Sequence, residues 1–172
     1  MRKRAADCED RPAKRTQTPC IEAEDGARIT EHNEDVLHVR CDYVVHQCNC
    51  LTTYASGLAH QIFEMYPDAD TYRPGARRTP GTISVHGRIV NLYGQRYPGR
   101  PSRLETPEIR LGWFRSGLDA LAAHIGGERD AVCAFPHGIG CGLAGGDWGA
   151  YKSVLCAWAE ANPRIRVLIC KK

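Results

Sequence analysis

The chain has 172 residues, 42% hydrophobic and 25% charged, a balance that fits one soluble globular domain with a core of its own. No apolar run approaches membrane-spanning length and the N-terminus lacks the apolar stretch of an export signal, so no membrane partner is expected. The formal net charge is +3, and residues 1–20 carry all of it, with six Lys or Arg against three Asp or Glu. Residues 21–172 are balanced, but residues 71–115 hold nine Arg against Glu105 and Glu108. That predicts a local basic face making at most weak contact with nucleic acid, because only Tyr72, Tyr93 and Tyr97 interleave the arginines as stacking groups.

The nine cysteines are odd in number and sit mainly within apolar strands. They point to reduced, buried thiols and a nuclear or cytoplasmic location. Cys48 and Cys50 lack a second Cys/His pair at finger-like spacing, so no metal site is expected, and no cofactor.

Residues 1–27 are polar and unpatterned and read as a disordered tail. In it, Lys3-Arg4 and Lys14-Arg15 are spaced like a bipartite nuclear-import signal, or are simply solvated charge. Arg28 to His32 alternates weakly, and Asn33-Glu34-Asp35 reads as a tight turn. Tyr43 to Cys48 predicts a strand that delivers Asn49 to a small-residue loop ending in Ser56-Gly57. Leu58, Ile62, Met65 and Tyr66 have helical spacing, stopped by Pro67. Thr82–Val85 and Arg88–Leu92 predict a hairpin around His86-Gly87, and Tyr93 to Glu105, with two Gly and two Pro, reads as loop. Thr106-Pro107-Glu108 opens a helix whose buried stripe is expected to be Ile109, Trp113, Leu118, Leu121 and Ile125.

Ala131 to Phe135 predicts a buried strand, and Pro136 ends it. Glycines then fall at 138, 140, 142, 145 and 146, before Asp147 opens a helix lined by Tyr151, Val154, Leu155 and Trp158. Ile165 to Cys170 is a last strand. A strand that empties through glycines into a helix start is a place to bind phosphate, since converging N–H groups meet no Cβ and the helix end adds partial positive charge. Residues 140–145 match G-x-G-x-x-G, but a dinucleotide fold needs an acid about 20 residues beyond the motif, where this chain reads Ile165-Arg166, and then further strands. A P-loop is excluded for want of Lys-Ser/Thr.

The two strand–loop–helix junctions, Tyr43 to Ala59 and Ala131 to Trp148, together resemble the macrodomain family of ADP-ribose-binding modules over about residues 28–170. The likeness is closest to the branch holding ADP-ribose 1″-phosphate phosphatases, enzymes that remove ADP-ribose from glutamate, and related phage and viral domains. It implies a three-layer α/β/α fold with a mixed central sheet, one domain over 28–172, a monomer, and ADP-ribose or ADP-ribosylated proteins as partners.

Residue by residue, the resemblance places Asp35 and Val36 at the adenine, although Glu34 stands where the family has Gly. Asp35 is otherwise a turn residue. Asn49 matches the Asn that holds a distal-ribose hydroxyl; its other reading is a cap of its own loop. Ser56, Gly57 and Leu58 would close one side of the diphosphate, and Gly138, Ile139, Gly140, Cys141 and Gly142 the other, with Tyr93 packed on the distal ribose. The family's attacking Lys aligns with Gln95 and its loop Asp with Ala144, which closes the covalent route. Asn49, Asp147 and His137 remain as catalytic candidates: Asp147 a general base or a helix cap, His137 a proton donor to a leaving oxygen. His46 reads as a satisfied strand histidine. The function this implies is binding of ADP-ribose with hydrolysis of ADP-ribose 1″-phosphate or of ADP-ribosyl linkages on proteins; the alternative is non-catalytic reading of ADP-ribose.

Overall fold

The computed structural model describes residues 28–127 and 129–172; the tail and import-signal readings lie outside them. The elements run β1 (Ile29–His32), β2 (Tyr43–Asn49), α1 (Leu58–Met65), a 3-10 turn (Pro67–Ala69), β3 (Ile83–His86), β4 (Ile89–Gln95), α2 (Pro107–Ile125), β5 (Ala131–Pro136), α3 (Trp148–Ala161) and β6 (Ile165–Cys170). They build one six-stranded sheet in the order β1-β6-β5-β2-β4-β3. Every neighbouring pair is parallel except β3 with β4, which form the hairpin. The expected mixed sheet is present.

Both faces of the sheet are covered, which is why its central strands are apolar without alternation. On one face Leu92, Phe135 and Ile169 pack against Phe114 and Leu118 of α2 and Leu155 and Trp158 of α3. On the other, Val44, Cys48, Ile89 and Ala134 pack against Ile62 and Phe63 of α1. Val36, Leu37 and Val39 join this second core through a turn in which the Asp35 carbonyl accepts the His38 and Val39 amides. These are the three layers, with α1 alone on its side.

Two expectations are corrected. β4 runs on through Tyr93 and Gly94 to Gln95, where turn-forming residues predict loop. A Cβ on Gly94 would lie 2.5 Å from the Gln47 side-chain oxygen on β2, so this glycine makes room for a neighbouring strand. The buried stripe of α2 is also displaced. Arg110, Phe114, Gly117, Leu118, Leu121 and Ile125 are buried, Ile109 is exposed and Trp113 only partly covered. Gly117 sits where a Cβ would meet Leu92 at 2.6 Å, drawing α2 close to β4, while Trp113 packs at the edge against Gly81.

Local chemistry sets the helix ends. Thr106 caps α2 through the Ile109 amide, Asp147 caps α3 through the Ala150 amide at 2.8 Å, and Gly126 ends α2 at φ 82°. No helix among the described residues is long and apolar enough to cross a membrane.

Candidate functional site

In the sheet order β2 lies between β5 and β4. The connection after β2 leads to α1 on one face and the connection after β5 leads to α3 on the other. Loops that part in this way open a crevice at the carboxyl ends of the strands. A cleft of about 410 Å³ occupies it.

One wall is the start of α1, with Ser56, Gly57, Leu58 and Ala59 on the cleft. Gly57 adopts φ 58° and caps the helix without a side chain; the first helical bond is from the Gln61 amide to the Gly57 carbonyl. The preceding amides of the first turn therefore have no partner within the helix and carry its positive end.

The opposite wall is the loop from Pro136 to Ala144. The amides of Ile139 and Cys141 turn inward to the carbonyls of Pro136 and Gly138, and those of Gly145 and Gly146 to Gly142 and Gly140. The amides of Gly138, Gly140 and Gly142 have no protein acceptor among the described residues. This alternation is possible because Gly138 and Gly140 adopt φ 72° and 74°. At Gly140 a Cβ would also lie 2.5 Å from the Tyr151 ring, so only glycine fits.

The floor comes from β2, β4 and a loop residue, Tyr72. Asn49 is almost wholly buried: its Oδ1 accepts the Leu51 and Thr52 amides, and its Nδ2 donates to the Thr52 and Tyr72 hydroxyls. The Asn49 main-chain amide donates to the same Tyr72 oxygen at 3.1 Å. Arg78 holds Tyr72 from outside, its guanidinium 5.1 Å from the ring centre and bonded to the Thr52 carbonyl. Beside Asn49, Gln47 Nε2 donates to Gln95 Oε1, and Gln95 Nε2 to the Tyr97 carbonyl.

No Lys, Arg, Asp or Glu lines the cleft among the described residues. Two histidines do. His46 is buried, bonded to Asn91 Oδ1, and burial lowers its pKa to about 4, so it is neutral. His137 is exposed, with its ring centre 4.7 Å from that of Trp148.

No family model matches the sequence, and no curated protein is similar to it. Solved structures are. The macrodomain of Mycobacterium tuberculosis DarG superposes with a TM-score of 0.68 at 23% identity, over 86% of this chain and 99% of that one. The chain has the macrodomain fold. The Thermus aquaticus DarG macrodomain comes next at 0.66 and 21%, covering 84% and 98% of the two chains. Thermosipho africanus DarTG, solved in complex with ADP-ribose, gives 0.64 and 16%, covering 84% of this chain and 41% of that one.

Within this macrodomain fold, Asn49, Ser56, Gly57, Leu58, His137, Gly138, Ile139, Gly140 and Gly142 share the one cleft. The other sequence candidates are placed elsewhere. Asp35 Oδ1 accepts the Leu37 amide at 2.9 Å and Val36 is in the core beside α1. Tyr93 is 2% exposed, in that same core, with its hydroxyl on Ser84. Cys141 donates its thiol to the Ile139 carbonyl, and burial raises that thiol to about 11, so it is not a thiolate. Asp147 is the exposed cap of α3 and lines a smaller cavity with Pro107 and Tyr151. Gln95 and Ala144, where the family's Lys and Asp align, both line the cleft.

Of the basic stretch, Arg73 faces Asp70, Arg78 and Arg88 bond backbone carbonyls, and Arg110 is buried. Of its aromatics only Tyr97 is exposed; Tyr72 and Tyr93 are buried. Gln47 and Tyr72 are cleft residues that sequence reasoning missed. Gln47 had a signal, as a polar residue two before Asn49 on the same strand; Tyr72 had none.

Proposed function

We propose that this protein binds ADP-ribose, with the diphosphate between the start of α1 and the 138–142 loop. The observation that carries this is the convergence of unpartnered amides from two separate elements on one uncharged cleft. Dipoles and N–H groups suit a diphosphate without any lysine or arginine. The likeness to a neighbour solved with ADP-ribose supports the same ligand. This reading gives the distal ribose the floor at Asn49 and Tyr72; the Asn49 side chain spends its donors and acceptors on Leu51, Thr52 and Tyr72, so it caps its own loop and shapes that floor.

Once the ligand is bound, the lining favours retention, as in a reader of ADP-ribosylated proteins. A cleft with no carboxylate and no lysine lacks the carboxylate base and the attacking amine, and leaves His137 as its one exposed imidazole among the described residues. A second reading, hydrolysis of ADP-ribose 1″-phosphate or of a terminal ADP-ribosyl linkage, is favoured by one observation, the exposed His137 imidazole on the cleft wall. It would donate a proton to the leaving oxygen as water attacks the 1″-phosphate or the distal-ribose C1″.

Calorimetry with ADP-ribose and AMP, then a turnover assay on the same sample with ADP-ribose 1″-phosphate and ADP-ribosylated protein, tests both. Heat with ADP-ribose and no product supports the reader. Product that disappears in His137→Ala supports the hydrolase, and no heat with ADP-ribose overturns both.

A further inference from the structure

Arg110 and Glu105 form a buried ion pair outside the cleft, 2% and 1% exposed. Burying two charges is costly, and the cost is offset only where every remaining donor and acceptor is matched. Here they are matched. A guanidinium has five N–H donors in a fixed fork. Arg110 Nε donates to Glu105 Oε1 at 2.6 Å, Nη1 to the carbonyls of Gly99 and Ala144 at 2.6 and 2.9 Å, and Nη2 to those of Tyr97 and Arg100 at 3.2 and 3.4 Å. The Glu105 carboxylate also accepts the Arg96 and Tyr97 amides, each at 3.1 Å.

All four of those carbonyls and both amides belong to two segments without helix or strand, 96–100 and 144, and both segments border the cleft through Pro98, Gly99 and Ala144. The Tyr97 carbonyl accepts from Gln95 as well, so the amide row on the cleft floor continues into the guanidinium. One side chain thus ties the floor, the 96–100 loop and the glycine loop together.

We propose that Arg110 is a positioning residue, which fixes the separation of the 96–100 loop and the glycine loop and so the width of the cleft at its Gln95–Ala144 end. This rests on the ADP-ribose reading for the ligand used in its binding test. Its geometry does not depend on that reading. A ligand held by backbone amides is sensitive to shifts well under 1 Å in the backbone that carries them. Arg110 supplies that precision because its one planar fork serves five acceptors. Lysine has three donors and no fork.

The test compares the wild type with Arg110→Lys, and with the double variant Arg110→Met, Glu105→Met, which removes both charges and keeps an apolar interior. Calorimetry with ADP-ribose and with AMP is run well below each protein's unfolding transition, and amide hydrogen exchange is monitored without ligand. Both variants are expected to weaken ADP-ribose by about tenfold or more, while AMP, which lacks the distal ribose, shifts by less than about threefold. Exchange should quicken in 96–100 and 138–146 together. A purely structural role would lower both affinities in proportion or neither. The proposal is overturned if either variant, folded, binds ADP-ribose as the wild type does, or if exchange quickens in 96–100 and leaves the glycine loop unchanged. Should the wild type bind no ADP-ribose, the functional reading fails, and the coupled exchange alone decides the role of Arg110.

Discussion

The main-chain and side-chain amides of Asn49 both donate to a single oxygen, the Tyr72 hydroxyl, each at 3.1 Å. The hydroxyl therefore serves two buried donors at the carboxyl end of β2, and with the Leu51 and Thr52 amides it fixes which way the Asn49 amide points. A residue from the segment after α1 orients the group on which the ribose reading rests.

Tyr72→Phe removes that hydroxyl, with its contacts to Asn49, Thr52 and Cys48, and keeps the ring. Two donors of an almost wholly buried residue lose an acceptor, so the variant should be less stable by about 1–3 kcal/mol. Urea unfolding measures the loss. Calorimetry on the same protein should show weaker ADP-ribose binding, because the cleft floor at the end of β2 loses one anchor, although the Leu51 and Thr52 bonds still orient the Asn49 side chain.

The glycine loop offers a matched pair of substitutions. Gly140→Ala places a Cβ against the Tyr151 ring and Gln47 at φ 74°, and should cost about 2 kcal/mol or more and abolish binding. Gly142 lies on the same cleft, but its Cβ would meet nothing within 4 Å and its φ is not positive. Gly142→Ala should therefore melt within a few degrees of the wild type. Thermal unfolding of the two variants side by side measures the strain, and calorimetry with ADP-ribose on each measures any crowding of the ligand.

Asp147 is decided by a cap experiment. Its Oδ1 accepts the Ala150 amide, so Asp147→Ala should lower stability by about 1 kcal/mol and Asp147→Asn by only a few tenths. Neither should change ADP-ribose affinity or, where product is detected, its rate. A rate that collapses in Asp147→Asn while stability holds would restore the general-base reading.

The buried His46 makes stability depend on acid. Burial holds its folded-state pKa near 4, against about 6.5 in an unfolded chain, so between these values the unfolded state takes up the proton and the folded state does not. Stability should therefore fall as pH drops from about 6.5 to about 4, by on the order of 3 kcal/mol from this group. Denaturant titrations across that range should show the slope, and His46→Gln, which still reaches Asn91, should flatten it.

Short-range chemistry is the part of this fold that the sequence makes legible. Asn49 before a small-residue loop, Gly57 ahead of α1, and Pro136 with glycines leading to Asp147 each mark a junction by turn and cap preferences, and both junctions stand where those preferences put them. Contacts across the sheet are not legible in this way. Gly94 reads as loop on its own, yet β4 carries it beside β2, where Gln47 leaves no room for a Cβ. Arg110 reads as one more surface charge, yet it falls in phase with Phe114, Gly117 and Leu121, and a charge in phase with an apolar stripe is the sign of a buried pair. Tyr72 reaches Asn49 through a fold that no local pattern describes.

The two walls of the cleft come from the early and the late parts of the chain, one after β2 and the other after β5. During synthesis β2 and α1 leave the ribosome long before the strand that must lie beside them, and pairing of parallel strands so distant in sequence is slow. Affinity for a nucleotide would have to wait until β5 and its loop have emerged, and any nascent fragment ending ahead of Ala131 would have half a grip.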